Sequence, residues 1–157
     1  MKIKLMVVGK TDDKNIQNLV SAYLERLTHY INFEFCVIPD VKNAKNLTNN
    51  QQKLSEGQLI LKQLQASDLL ILFDENGTSY SSKIFSEYLQ KKMLTGCKQL
   101  VFVIGGPYGF SEEVYQKAVA KIALSKMTFS HQMARLFAVE QFYRAFTIIN
   151  NEPYHHQ

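Results

Sequence analysis

No tryptophan occurs among the 157 residues, cysteine occurs twice, proline three times and glycine seven times. Cys36 and Cys97 stand far apart in otherwise core-like sequence, with neither C-x-x-C spacing nor histidine partners. Disulfide frameworks and zinc ribbons therefore drop out, and a reducing compartment is expected. A long apolar leader is missing too. After Lys2-Ile3-Lys4 the apolar residues run only from Leu5 to Val8, too few for a signal-peptide core or a bilayer span, so a cytoplasmic protein without membrane attachment is expected. Familiar catalytic motifs are also scarce. Phe110-Ser111 follows Gly109 where a phosphate loop needs its lysine, and Pro107 and Phe110 stand where a dinucleotide fingerprint from Gly105 needs glycine. Neither G-x-S-x-G nor H-E-x-x-H is present, and no metal is expected.

What is there suits one compact domain over residues 1–157: 46% hydrophobic content and a formal net charge of +4, from 18 Lys and Arg against 14 Asp and Glu. That mild excess fits a polyanion such as RNA and is equally ordinary for a soluble enzyme. The apolar pattern predicts strands at residues 3–8, 33–37, 68–73 and 100–104, with a very short fifth piece at 122–124. Between them fall helical patterns at about 16–27, 51–64, 82–93 and 111–119, then a closing helix over 132–149. Residues 41–50, rich in asparagine and lysine, read as a mobile surface loop long enough for a lid, and Asn76-Gly77 reads as an ordinary turn. Strands alternating with helices give an α/β fold with a mainly parallel sheet and flanking helices. The closing helix carries Met133, Leu136, Phe137, Val139, Phe142, Tyr143, Phe146 and Ile149 over more than one face, which points to burial against a second copy, a homodimer.

The stretch Leu100-Val-Phe-Val-Ile-Gly-Gly-Pro-Tyr-Gly109 runs an apolar strand straight into a loop with few side chains, and Ser111 can then cap a helix. Strand, bare loop and helix in that order describe the carboxyl edge of a parallel sheet, where ligands bind. A second irregular stretch, 125–131, follows the fifth strand and is expected on the same side. An apolar, backbone-rich pocket of this kind suits an uncharged purine with a small amino-acid tail, as in S-adenosyl-L-methionine. A fold-only RNA-binding module and an enzyme using another adenine nucleotide remain as alternatives.

Four motifs together carry a family resemblance: Ile104-Gly105-Gly106-Pro107-Tyr108-Gly109, Leu124-Ser125-Lys126-Met127-Thr128-Phe129-Ser130-His131-Gln132, Glu140-Gln141-Phe142-Tyr143-Arg144-Ala145 and Pro153-Tyr154-His155. Over its whole length the chain resembles the RNA large-subunit methyltransferase H family of the SPOUT superfamily. The resemblance implies a homodimer with a C-terminal deep trefoil knot, a topology nearly absent from other proteins, and a cofactor, S-adenosyl-L-methionine, held in the knot loops. It implies N3-methylation of a pseudouridine in 23S ribosomal RNA on assembled ribosomes. Carried over to this sequence, the cofactor contacts are Phe73, Gly105, Leu124, Ser125, Lys126, Met127, Thr128 and Phe129. Ser130 stands where many relatives have proline, and His156 where they often carry Arg or Lys.

For substrate positioning the candidates are His131, Arg135, Tyr154 and His155. His131, at the second loop's exit, is a candidate base or a structural helix-start partner. Arg135, one helical turn on, is a candidate for phosphate or the cofactor carboxylate, with a surface charge or ion pair as the alternative. Tyr154 and His155 lie on a tail that can cross to a partner's pocket, unless it is a frayed terminus. Arg144 follows Glu140 in the order that favours a salt bridge. Lys126, Lys10, Lys42 and Lys45 are candidate RNA phosphate contacts.

Overall fold

The computed structural model describes residues 1–156. Five strands, β1 (Lys2–Val8), β2 (Asn32–Ile38), β3 (Leu69–Ser79), β4 (Gln99–Ile104) and β5 (Ala120–Ala123), form one sheet of order β2-β1-β4-β3-β5, every pairing parallel. Five helices connect or follow them: α1 (Lys14–Leu27), α2 (Asn49–Lys62), α3 (Ser82–Leu94), α4 (Glu112–Lys117) and α5 (His131–Ile149).

The apolar run of β4 has a direct reason: the strand is buried on both faces. Leu100, Phe102 and Ile104 point into a cluster with α1, α3 and α5, while Val101 and Val103 point the other way with Ile60 of α2 and Val114 of α4. β1 divides likewise, Ile3, Leu5 and Val7 against Met6 and Val8. Phe142 of α5 sits at the middle of the first cluster, with ring centroids 4.8 Å from Phe102, 5.1 Å from Phe33 and 5.4 Å from Phe85.

Side-chain caps set where helices begin. Asp13 accepts the N–H groups of Asn15 and Ile16 at the head of α1, Ser81 that of Ile84, Ser111 that of Val114 and Ser130 that of Met133. Thr48 and Gln51 form a reciprocal capping box that starts α2 at Asn49. The stretch 41–50 is thus shorter as a loop than its composition implies: it holds a 3₁₀ turn (Ala44–Asn46) and the first residues of α2. None of it lines the main cavity, so the lid expectation is corrected.

Two further corrections bear on function. Asn76-Gly77 does not close β3, which continues to Ser79 and pairs with β5 twice, at Phe73 and again at Thr78, both opposite Ile122. A Cβ on Gly77 would lie 2.6 Å from the carbonyl carbon of Lys121 and 2.7 Å from the amide nitrogen of Ile122, so glycine is here for close backbone approach rather than for a turn. The second correction concerns α5, whose apolar faces are covered largely within the chain. Ala138, Val139, Phe142, Ala145 and Phe146 are buried, because the helix packs against both α1 and α3; Phe137 is 38% exposed, and Met133, Leu136, Tyr143, Ile148 and Ile149 are only partly buried.

Candidate functional site

β1 and β4 end level with the last β3–β4 pair, Val7 beside Ile104 and Ile104 beside Phe73, so the segments after β1 and β4 emerge beside the stretch of β3 that follows Phe73. There a cavity of about 470 Å³ is walled by the middle of β3 (Phe73 to Asn76), the glycine loop from Ile104 to Phe110, and the segment Leu124 to His131. Parallel α/β sheets bind ligands at their carboxyl edge because helix N-termini and unpaired backbone groups face it.

The glycine loop is shaped from beneath. Gly105 faces the ring of Phe110, whose Cε1 would stand 2.8 Å from an added Cβ. Gly109 has φ +80°, a left-handed conformation that glycine adopts without strain, and its N–H donates to the Gly106 carbonyl at 3.4 Å. The turn therefore presents backbone at its three glycines, alongside Pro107, Tyr108 and Phe110, to the cavity.

The middle of β3 contributes polarity. Asp74 accepts two hydrogen bonds, from the Asn76 N–H at 2.8 Å and the Tyr115 hydroxyl at 2.5 Å. Burial and that bond to a carboxylate push the Tyr115 phenol up to about 12. Thr128 donates from Oγ1 to Glu75 at 3.2 Å, fastening the third wall to the first. In that third wall Ser125 accepts the Met127 N–H at 2.9 Å, Phe129 lies 4.8 Å from the Phe137 ring, and Met127 is 77% exposed.

Of the residues the resemblance assigns to the cofactor, Phe73, Gly105, Leu124, Ser125, Met127, Thr128 and Phe129 line this cavity, while Lys126 points elsewhere. His131, the exposed first residue of α5, also lines it. Arg135 does not. It is 2% exposed and donates to the Val8 carbonyl at 2.7 Å, the Gly9 carbonyl at 2.9 Å and the Thr11 hydroxyl at 3.0 Å. Neither a surface charge nor a phosphate contact, it ties α5 to the end of β1; burial lowers its pKa, with Asp12 and Asp40 opposing the shift.

Tyr154 and His155 lie outside their own chain's cavity and are not frayed. The Tyr154 hydroxyl donates to Glu140 at 3.0 Å and lies 3.3 Å from that of Tyr23, and the Arg144 guanidinium sits 4.7 Å from its ring centroid. Burial and these bonds raise its pKa strongly. His155 Nδ1 is 3.4 Å from Arg144 Nη1, and Arg144 holds Glu140 at 2.6 Å, the salt bridge its spacing predicts.

Sequence reasoning missed Asp74, Glu75, Asn76 and Tyr115, all of which line the cavity. The available signal was position: Asp74-Glu75-Asn76 directly follows a buried strand at the edge where ligands bind, and Tyr115 lies one turn beyond the Ser111 cap. Among the described residues no helix is long and apolar enough to cross a membrane, and no three His, Cys, Asp or Glu side chains gather as a metal-binding set.

Comparison with known proteins agrees with this geometry. The family model described as "Predicted SPOUT methyltransferase" matches residues 1–155. Proteins named Ribosomal RNA large subunit methyltransferase H from Christiangramia forsetii, Flavobacterium johnsoniae and Parabacteroides distasonis are 64%, 62% and 62% identical to this chain, each over 100% of both sequences. With the family model spanning nearly the whole chain and full-length relatives at this identity, the chain belongs to the SPOUT methyltransferase family, in the group of the ribosomal RNA large subunit methyltransferase H proteins.

Proposed function

We propose that this chain, as one SPOUT domain over residues 1–157 and as a cytoplasmic homodimer, uses S-adenosyl-L-methionine to methylate N3 of a pseudouridine in 23S ribosomal RNA on assembled ribosomes. The observation that carries this reading is the convergence of the glycine loop, the 124–129 segment and the middle of β3 on one cavity. The residues present fit such a cofactor. Phe73, Leu124 and Phe129 offer apolar walls to a purine, the partly exposed backbone of Gly105 lies at the wall beside them, and Asp74 and Glu75 add two carboxylates that suit a cationic ligand.

When bound, the cofactor supplies an electrophilic methyl group; the chain's part is to hold donor and acceptor in line, so positioning supplies much of the rate. N3 of the acceptor ring must lose a proton, and His131, which lines the cavity, is our candidate to take it. A His131→Ala change is expected to lower kcat and leave the affinity for S-adenosylhomocysteine unchanged. Tyr154 and His155, anchored on Glu140 and Arg144, serve the partner's pocket across the dimer. Unchanged turnover of a Tyr154→Phe, His155→Ala variant with intact cofactor binding would end that assignment.

The knot is part of the same reading. Its support is membership of the SPOUT family, whose model matches residues 1–155. The deciding experiment incubates purified protein and tritiated S-adenosylmethionine with ribosomes lacking the modification. Label in one pseudouridine of 23S RNA is expected. Binding of ribosomes without label would leave a fold-only RNA-binding module, and stabilisation by other adenine nucleotides but not by the methyl donor would indicate a different enzyme.

A further inference from the structure

Behind the glycine loop lies a carboxylate that the cavity itself does not use. Glu56, in α2, is 4% exposed and does not line the cavity. A Cβ added to Gly106 would stand 2.4 Å from its Oε1 and 2.7 Å from its Oε2, so the carboxylate lies directly against the loop backbone. Gln52, one turn earlier on α2, donates from Nε2 to Oε2 at 3.1 Å. The next residue, Gly57, meets the loop's other end: a Cβ there would stand 2.4 Å from Oγ of Ser111, which caps α4. Two consecutive residues of α2 thus touch the loop near its beginning and at its close.

We propose that Glu56 is a positioning residue: seated against the Gly106 backbone and steadied by Gln52, its carboxylate holds the 105–109 loop in the shape on which ligand binding depends. A carboxylate buried with no cation within ion-pair distance is costly, and an apolar side chain would fill the same space more cheaply. What an apolar side chain cannot do is present acceptor oxygens to the loop backbone against which the Glu56 carboxylate lies.

The arrangement makes the loop sensitive to protonation. Burial raises the Glu56 pKa above the ordinary carboxylate value, the Gln52 amide and the Gly106 backbone oppose that rise, Asp40 from the segment after β2 adds to it, and His131 at the start of α5 works against it. As pH falls through this raised value, the carboxylate loses an acceptor site and its hold on the loop weakens. The informative quantity is the difference from a variant that keeps His131 and cannot ionise at position 56.

The full-length protein, E56A and E56Q are compared by two readouts over the range from neutral to mildly acidic pH. The first needs no ligand: hydrogen exchange of the peptide covering residues 105–110. The expectation is exchange about tenfold faster in E56A at neutral pH, near-normal protection in E56Q, and a wild-type loss of protection on acidification that E56Q does not share. The second is calorimetric affinity for S-adenosylhomocysteine, expected to weaken on acidification more in the wild type than in E56Q. Equal loop exchange in wild type and E56A, or superimposable pH profiles of wild type and E56Q, would overturn the proposal. Should E56A fail to fold, the wild type against E56Q decides. The second readout alone rests on the methyl-donor reading: a wild type that binds no S-adenosylhomocysteine sinks that reading, while loop exchange still judges Glu56.

Discussion

Gly105 has the ring of Phe110 across the place a side chain would take, with Cε1 at 2.8 Å and Cζ at 3.0 Å from a built Cβ. Phe110 is itself 6% exposed and packed among the residues between the sheet and the α2 and α4 layer, so it has little room to retreat. Gly105→Val must therefore push the loop into the cavity. The expected result is at least about a tenfold loss of affinity for S-adenosylhomocysteine, roughly 1.4 kcal/mol, with an unchanged circular dichroism spectrum; wild-type affinity would show that the loop is not the binding surface. Arg135 presents the opposite case, a charge whose role is architectural. Removing its guanidinium leaves the Val8 and Gly9 carbonyls without their donors in a buried place. Arg135→Ala should cost about 3 kcal/mol in urea unfolding. Arg135→Lys, with one ammonium in place of a fork, should recover only part of it.

At the level of elements, the crossing of β3 and β5 depends on one missing side chain. Gly77→Val would drive a branched carbon into the backbone of Lys121 and Ile122, and backbone within a paired strand cannot step aside as a flexible side chain can. The expected loss is about 2–3 kcal/mol, together with weaker ligand binding, because Asp74 to Asn76 immediately precede the crossing and line the cavity. A variant as stable as the wild type would mean that the second pairing at Thr78 contributes little. This crossing also marks the limit of what could be read from residues alone. The strands and their parallel arrangement were legible because buried β4 and β3 carry unbroken apolar runs, and Ser130 as a helix cap was legible from its chemistry. Asn76-Gly77 was misread because its local chemistry is that of a turn, while the reason for the glycine is a strand more than 40 residues away. Arg135 was misread because arginine is seldom fully buried, and nothing local announces two carbonyls supplied by β1. The apolar breadth of α5 was legible, but not that α1 and α3 of the same chain cover much of it, because that packing is set by the sheet order rather than by the helix itself.

Across the whole molecule, tyrosines join parts that the sheet does not. Tyr30, just after α1, donates to Glu152 of the tail at 2.6 Å; Tyr115 of α4 donates to Asp74 in the middle of β3; Tyr154 of the tail reaches Glu140 of α5. All three phenols are raised above their ordinary value of 10.0, Tyr30 and Tyr115 to about 12, the first mainly through its bond to Glu152 and the second mainly through burial. Tyr88, half-buried with its hydroxyl enclosed and unpartnered, is also pushed up to about 12 by burial. A raised pKa means that the folded state prefers the protonated phenol. This contribution to stability is therefore complete below the unfolded value of about 10 and is lost as pH climbs towards 12. Urea midpoints followed with tyrosinate absorbance should fall on the alkaline side of pH 10, with no contribution from this source near neutrality. Because Tyr30 and Tyr154 tie the tail to α1 and α5, the tail should detach before the sheet unfolds, and Tyr30→Phe should free it at lower pH. If the tail serves the partner's pocket, methyl transfer should then fall with tail release at a pH where circular dichroism and S-adenosylhomocysteine binding are still native. Activity that persists until the sheet itself unfolds would remove the tail from the reaction.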